Sequence, residues 1–422
     1  MGNRSESNST LSLSLFDRVL DRDNLIRALK QVQRNKGAAG VDGIKVNQLD
    51  AFLKTHWLTI KAKLLTGQYA PKPVLRVDIP KGDGTYRPLG IPTVLDRVIQ
   101  QAIAQVLQEE WEPKFHRHSY GFRPNRNAHH AVHQARDYLR QGFDVVVDCD
   151  LKSFFDTVNH DKLMWLLKRH YSDKQLLQLI NRYLKAGVVI DGSQHATTEG
   201  VPQGGPLSPV LANILLTELD NELDRRNLRF VRYADDFMIF VKSDVAGQRV
   251  LENLTCFLSD SLRLKVNTHK SGVKRPWEVN FLGFTFTRKR GFKIKVSEKS
   301  ERKLKAKVKE VSRRTRGQKV AQVILELRIT LLGWKAYFGI NEVTSRLRDL
   351  DKWIRRRLRS YIWKQWGRSG YRNLRRLGID RWLAWNTAKS AHGPWRLSAS
   401  PALYRALPNR YFKNLGLPSL ID

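Results

Sequence analysis

The sequence predicts an α+β chain organised around a central β-α-β-β-α-β unit, with helical segments before and after it. Three observations carry that prediction. Residues 143–150 (Phe-Asp-Val-Val-Val-Asp-Cys-Asp) form a run rich in β-branched side chains, the composition of a buried strand. Two further apolar runs, Leu228–Tyr233 and Phe237–Lys242, are separated only by Ala234-Asp235-Asp236, and helical periodicity fills 160–170, 173–186, 208–226 and 246–262. A length of 422 residues with 41% hydrophobic content supports sizeable cores and excludes wholesale disorder.

The elements follow in order. Residues 15–32 place Leu15, Val19, Leu20, Leu25, Leu29 and Val32 on one helical face. A Gly-punctuated loop, Asn35–Gly43, precedes a second helix over 47–66. Residues 74–79 alternate as a strand, and 81–86 (Lys-Gly-Asp-Gly-Thr-Tyr) read as its hairpin turn. Ile91-Pro92-Thr93 leads into a helix over 95–111, stopped by Pro113. Ser119-Tyr120-Gly121-Phe122-Arg123-Pro124 reads as irregular loop, and 128–141 as helix. Within the central unit a small hairpin spans 188–199 around Asp191-Gly192, and a loop, Pro202-Gln203-Gly204-Gly205-Pro206, precedes helix 208–226. The last central strand is expected to begin at Leu264-Lys265-Val266. Helices over 298–315, 319–338 and 345–365 follow it.

Charge narrows the function classes. With 75 Lys+Arg against 40 Asp+Glu the net charge is +35. A chain so charged repels itself and calls for an anionic partner, most simply nucleic acid. Residues 301–422 hold 29 Lys+Arg against 8 Asp+Glu, a net of +21, so most of the excess lies there. The same stretch carries Trp334, Trp353, Trp363, Trp366, Trp382, Trp385 and Trp395, which suit either base stacking or the cores of small helical modules. Two cysteines, Cys149 and Cys256, exclude a disulfide framework and a four-cysteine zinc site. No apolar run is long enough for a membrane helix. The polar start, MGNRSESNST, has no signal-peptide core, and Glu6 breaks a myristoylation signal. A soluble, cytoplasmic protein is the expectation.

The chemistry points to the acids. Asp235 and Asp236 sit adjacent in a tight turn between apolar strands, and Asp150 ends an apolar strand of the same unit. Clustered carboxylates repel unless a cation intervenes, and Mg2+ is the hard, oxygen-seeking ion that suits them. Two such ions about 4 Å apart can support an in-line phosphoryl transfer. Asp148 and Asp156 are the nearby competitors for the first acid.

Tyr233-Ala234-Asp235-Asp236, together with Pro202-Gln203-Gly204-Gly205-Pro206-Leu207-Ser208-Pro209, resembles the palm of a reverse transcriptase, and more narrowly the group II intron-encoded reverse transcriptase/maturase family. Supporting blocks run along nearly the whole chain. Asn35–Gly43 looks like that family's N-terminal extension loop. Ile79-Pro80-Lys81-Gly82 through Arg87-Pro88-Leu89-Gly90-Ile91-Pro92 looks like its fingers hairpin. Ser119–Pro124, Leu264-Lys265-Val266-Asn267 with Lys270-Ser271, and Asn280-Phe281-Leu282-Gly283-Phe284 fit as well.

The resemblance implies a right-hand polymerase. N-terminal extension and fingers would span 1–142, a split βαβ (ferredoxin-like) palm 143–297, a three-helix thumb 298–366, and a small basic maturase-type RNA/DNA-binding region 367–422. It implies that Asp150, Asp235 and Asp236 are the catalytic, metal-binding acids, with the Leu151 carbonyl as a further ligand to two Mg2+ ions, for which Mn2+ can substitute. Asp150 is preferred because Phe155 then falls where the family has an aromatic gate against a ribose 2′-hydroxyl; Asp156 reads as a helix N-cap. Lys81 and Arg87 match triphosphate contacts, Gln203 a residue against the nucleotide, and Lys270 a lysine that protonates the leaving pyrophosphate. Nucleic-acid contacts are expected from Arg123 and from Arg355, Arg356, Arg357 and Arg359.

The implied function is RNA-directed DNA polymerisation from an RNA template, a DNA primer and dNTPs, with binding of a structured group II intron RNA to assist splicing and retrohoming. The protein would associate with the nucleoid when acting on DNA, as a monomer or a dimer. No Cys/His-rich nuclease segment is expected before Asp422. Two other readings stay open at this point: a domesticated relative in repair or defence, and a splicing cofactor with a vestigial polymerase.

Overall fold

A serine and an aspartate open the first two helices. Ser14 and Asp17 form a capping box at α1 (Leu15–Leu20), and the Asp21 side chain accepts from the amides of Asp23 and Asn24 to start α2 (Arg22–Asn35). The single helix expected over 15–32 is therefore two, broken where Asp21 caps the second. The computed structural model describes residues 14–80, 84–289 and 291–421. They form two compact units that divide between Arg275 and Pro276, inside the stretch expected as palm.

In the first unit α3 (Leu49–Leu65) leads to a hairpin of β1 (Val74–Pro80) and β2 (Tyr86–Ile91). Thr93 caps α4 (Val94–Trp111), and α5 (Ala128–Arg140) follows. The central part then runs β3 (Val145–Cys149), α6 (Phe154–Thr157), α7 (His160–His170), α8 (Lys174–Leu184), β4 (Val188–Ile190), β5 (Ser193–His195), α9 (Ser208–Arg225), β6 (Arg229–Tyr233), β7 (Asp236–Val241), α10 (Asp244–Asp260) and β8 (Gly272–Lys274). The short α6 has no counterpart in the sequence reading.

Two four-stranded sheets result, ordered β2-β1-β4-β5 and β6-β7-β3-β8. Neighbours in the second sheet are all antiparallel. Its order sets the first strand of the unit between the third and the fourth, the split βαβ arrangement expected. The last strand is not where the sequence placed it. Of Leu264-Lys265-Val266, only Val266 meets β3's continuation, in a single bridge to Leu151. Asn267 then pins the chain with its amide on the Asp150 carbonyl (2.8 Å), and the amides of Lys270 and Ser271 turn back onto Asn267. Pairing resumes only at Gly272–Lys274, which become the edge strand beside Val146–Asp148.

Alternation of strand side chains decides what this sheet buries. Val145, Val147 and Cys149 of β3 and Phe237, Ile239 and Val241 of β7 face the main core, with Leu211, Leu215 and Leu219 of α9 in the same cluster. Each such side chain contributes about 1.5–3 kcal/mol by leaving water. The even-numbered residues of β3 and β7 point to the opposite face.

The second unit pairs β9 (Phe284–Phe286) with β10 (Ile294–Val296) and is otherwise helical. Its helices are α11 (Glu298–Val311), α12 (Val320–Phe338), α13 (Thr344–Trp366), α14 (Gly370–Arg376), α15 (Arg381–Lys389), α16 (Pro394–Leu397), α17 (Pro401–Ala406) and α18 (Asn409–Asn414). One hydrophobic core runs from Leu304 through Leu358 to Leu420. Trp334, Trp353, Trp363 and Trp366 pack against it, whereas Trp382 is 75% exposed, with Trp385 and Trp395 also exposed. Four of the seven tryptophans thus serve the core of this unit. No helix among the described residues is long and apolar enough to cross a membrane.

Candidate active site

The acids are brought together by register. In the β3–β7 ladder Asp148 faces Met238 and Cys149 faces Phe237. Continued by one residue beyond the ladder, that register carries Asp150 towards Asp236, on the face away from the core. Side chains directly opposite in an antiparallel pair lie about 5 Å apart at Cβ, and like charges there destabilise each other. Asp235 precedes Asp236 in the two-residue connection between β6 and β7, where Tyr233 pairs with Asp236. Ala234 takes a left-handed φ of +57° in that turn, a conformation that costs a side-chain-bearing residue about 1–2 kcal/mol.

Ionisation shows the crowding. Burial, and then the charge of Asp150, push the Asp235 carboxyl up, against the opposing charges of Arg87 and Arg232. The Asp236 carboxyl is pushed up to about 6, by desolvation first and then by Asp235, Asp150 and Asp148. Asp236 keeps solvent-accessible surface, while the surrounding protein displaces much of its carboxylate's hydration. The carboxylates are adjacent without being gathered: no three His, Cys, Asp or Glu side chains among the described residues form a metal-sized cluster.

The competitors fall away on their contacts. Asp148 accepts from Lys274 Nζ at 2.7 Å. Asp156 is not the N-cap that the sequence suggested: it lies inside α6, and Asn159 caps α7 through the Lys162 amide. The Asp156 carboxylate instead accepts from Gln203 Nε2 at 3.3 Å. Asp150 is held from the side, accepting from Asn267 Nδ2 at 3.1 Å and donating its amide to Ser271 Oγ at 2.9 Å. Lys270 Nζ stands 3.9 Å from its carboxylate and is otherwise exposed. Leu151 forms the bridge with Val266, but the flanking bonds belong to Lys152 and Asp150. Leu151 is thus a non-hydrogen-bonded pair member, and that ladder leaves its carbonyl unused.

A cavity of about 480 Å3 lies beside these groups, lined by Arg87, Phe155 and Gln203 together with Lys36, Arg97 and Phe122. A second, of about 360 Å3, shares Phe155 and Gln203. Arg87 is exposed on β2, and Phe155 stands half-buried between the two cavities. Lys81 lies outside the described residues. The glycines of the Pro-Gln-Gly-Gly-Pro loop line the larger cavity and are also packed closely against the protein. A Cβ on Gly204 would lie 2.5 Å from the Gly90 carbonyl, and one on Gly205 would collide with Gln100 Oε1.

Five arginines expected at nucleic acid are engaged within the protein. Arg123 is buried: it forks onto Glu112, donates to the carbonyls of His116 and Ser119, and lies over Phe115. Arg359 is 1% exposed, donates to the Leu407 carbonyl and stacks 4.0 Å above Tyr404. Arg356 lies over Trp395, Arg357 donates to Ser312 Oγ, and Arg355 pairs with Asp351. Helix α13 is packed on several sides, and a buried guanidinium must find acceptors and ring faces. Sequence reasoning missed Lys36, Arg97 and Phe122 at the larger cavity. Phe122 was quoted within its motif, and its φ of +56° shows that it is held in an unusual conformation.

Comparison with known proteins identifies the family. The family described as reverse transcriptase (RNA-dependent DNA polymerase) matches residues 79–286, and that described as group II intron, maturase-specific domain matches 301–378. Protein YkfC of Escherichia coli (strain K12) is 36% identical over 310 residues, covering 63% of this chain and 81% of YkfC. Group II intron-encoded protein LtrA of Lactococcus lactis subsp. cremoris is 30% identical over 367 residues, covering 71% of this chain and 61% of LtrA. Among solved structures, telomerase from Candida albicans matches over 72% of this chain and 62% of that one, at 14% identity and a TM-score of 0.44. A likeness at that score adds nothing to the assignment.

Proposed function

This chain belongs to the family of group II intron reverse transcriptases and maturases, and from that premise we propose that it copies RNA into DNA at the site built by Asp150, Asp235 and Asp236. The observation that supports the reading is the β3–β7 register, which when continued by one residue carries Asp150 towards Asp236, with Asp235 beside it. The carboxylates of Asp150, Asp235 and Asp236, two of them with raised proton affinity, and a spare backbone carbonyl at Leu151 are all oxygen donors, the chemistry that suits Mg2+, or Mn2+ in its place. When bound, divalent ions of this kind lower the pKa of an attacking hydroxyl and neutralise charge on the transferring phosphoryl group.

The remaining roles belong to the chain's own side chains. Arg87, exposed on its hairpin and close enough to bias both acids, supplies positive charge for an incoming dNTP, and Lys81 of the same hairpin is proposed to share that task. Phe155, between the two cavities, would meet the sugar and favour a 2′-deoxyribose. Gln203, tied to Asp156, presents an amide toward the nucleotide. Lys270 beside Asp150 is positioned to move a proton to departing pyrophosphate. The RNA template and DNA primer are the proposed polymeric substrates, and a structured intron RNA is the proposed partner of residues 301–378. Fingers (1–142), palm (143–297), thumb (298–366) and C-terminal region (367–422) remain the proposed domains.

The test is Asp235→Asn. Primer extension on an RNA template should fall by roughly 10^2–10^3, the scale of losing one charge-stabilising group at a reacting phosphate. RNA affinity measured by filter binding should stay within about twofold, since that carboxylate neutralises no phosphate. Extension at the wild-type rate would overturn the assignment.

A further inference from the structure

We infer that Arg232 is a positioning residue: buried against Asp220 and Asn213, it holds the Ala234–Asp235 peptide and so aims the Asp235 carboxylate at the metal. The inference rests on the reading of Asp235 as a metal-binding acid.

Arg232 lies on β6, and neither it nor Asp220 of α9 exposes any side-chain surface. Its Nε and Nη2 donate to the two Asp220 oxygens at 2.7 and 2.5 Å. The remaining nitrogen, Nη1, donates to Asn213 Oδ1 and to the Ala234 carbonyl, both at 3.0 Å. Asn213 in turn donates through Nδ2 to the Gly121 carbonyl at 2.9 Å. The backbone of Arg232 is clamped as well, its amide on the His118 carbonyl and its carbonyl under the Tyr120 amide. Gly121 completes the enclosure, since a Cβ there would collide with the Ala234 nitrogen. The strained residue of the turn is thus gripped from two sides.

The Ala234 carbonyl and the Asp235 amide are two ends of one peptide group. The guanidinium bonds the oxygen, and because a peptide group is planar this fixes the orientation in which the next residue, Asp235, leaves the turn. Stability alone does not require this arrangement: a buried ion pair is replaceable by apolar side chains of like volume without loss. What such a replacement cannot supply is the bond to the Ala234 carbonyl.

The experiment removes both charges together in Arg232→Met/Asp220→Leu, with melting as the control for folding. Mn2+ binding to the nucleotide-free protein, followed by EPR, should weaken roughly tenfold, the scale of one lost hydrogen bond from a charged donor. The Mg2+ needed for half-maximal extension should rise by a similar factor, with the dNTP KM within about twofold of wild type. Arg232→Lys keeps a charge against Asp220 but lacks the fork that reaches Ala234, so it should show the same loss of Mn2+ affinity and answers the question on its own. Asp235→Asn is titrated alongside. If Asp235→Asn loses Mn2+ while Arg232→Lys and the double variant bind it like wild type, the positioning role is overturned and the metal reading stands. If Asp235→Asn itself binds Mn2+ like wild type, the metal reading falls and this inference with it.

Discussion

Around Asp235 like charges leave two carboxylates with raised proton affinity, whereas along α13 each of four like charges has a partner within the protein. The four arginines 355–359 share a helix with Asp351 and are surrounded by Trp353, Trp395, Tyr404, Ser312 and the Leu407 carbonyl. Asp150 has one exposed lysine at 3.9 Å, and Asp235 and Asp236 keep a raised proton affinity in spite of the charge of Arg87. Charge density in a sequence therefore does not mark a site. A site is marked where the fold gathers charges and leaves them unsatisfied, because only those gain from a ligand.

After the loss at Asp235, the largest expected effect sharpens this contrast from the other side. Arg359→Ala removes a buried guanidinium that packs on Tyr404 and bonds the Leu407 carbonyl, and should destabilise the second unit by about 2–3 kcal/mol. Thermal unfolding of the full chain reads this out as a lowered melting step. If Arg359 instead met phosphate, the variant would melt like wild type and bind RNA more weakly.

A smaller effect is expected at Phe155. Its ring is held by Phe154 at 5.1 Å and faces both cavities. Phe155→Val should raise rNTP incorporation relative to dNTP by roughly tenfold, the order of one pocket contact. Single-nucleotide incorporation opposite one template base measures the ratio, and an unchanged ratio would return Phe155 to simple packing.

Behind the turn the same unit keeps charge out. His118 is half-buried among Arg117, Arg126 and Arg229, and desolvation first, then those charges and His116, lower its pKa to about 4. The folded protein thus resists protonating a group that the unfolded chain protonates near 6.5. The stability it contributes is complete above pH 6.5 and is lost as pH falls from there through about 4. Discounted for partial exposure, the loss is roughly 1 kcal/mol. Denaturant unfolding at pH 7 and at pH 4.5, with wild type and His118→Gln, should show a smaller difference between the two pH values in the variant.

The fold was largely legible because it rests on local signals. The β-branched run at 145–147 and the alternation through 229–241 specify strands, and the turn residues between them leave little choice of pairing. The acids were legible for the same reason, since a strand end and a tight turn are both visible in sequence. Partnership was not. That Arg123 would fold back onto Glu112, or that Arg359 would lie over Tyr404, depends on contacts 11 and 45 positions apart in sequence that no periodicity encodes. The strand misplaced at Leu264–Val266 is a case between the two: its residues have strand composition, but the bonds of Asn267 to Asp150 end the pairing after one residue.

The smallest effect concerns which cations of the second unit do meet nucleic acid. With the four arginines of α13 engaged within the protein, the candidates are exposed cations outside that helix. Lys303 on α11, and Arg313 and Arg314 in the loop after it, are exposed, and no ion pair among the described residues involves them. Neighbouring Lys307 and Arg302 differ in being tied to Glu310 and Glu298. Each phosphate left without its protein cation should reduce the slope of log K against log salt by about 0.7–0.9. Lys303→Gln/Arg313→Gln/Arg314→Gln should therefore flatten the slope by roughly two to three units on a long structured RNA, with melting unchanged. Neutralising Arg355, Arg356 and Arg357 should do the reverse, lowering the melting temperature and leaving the slope of the folded fraction near wild type. The opposite pattern, a flattened slope from α13 and none from the α11 set, would place the nucleic acid against α13 and undo the contrast between satisfied and unsatisfied charge.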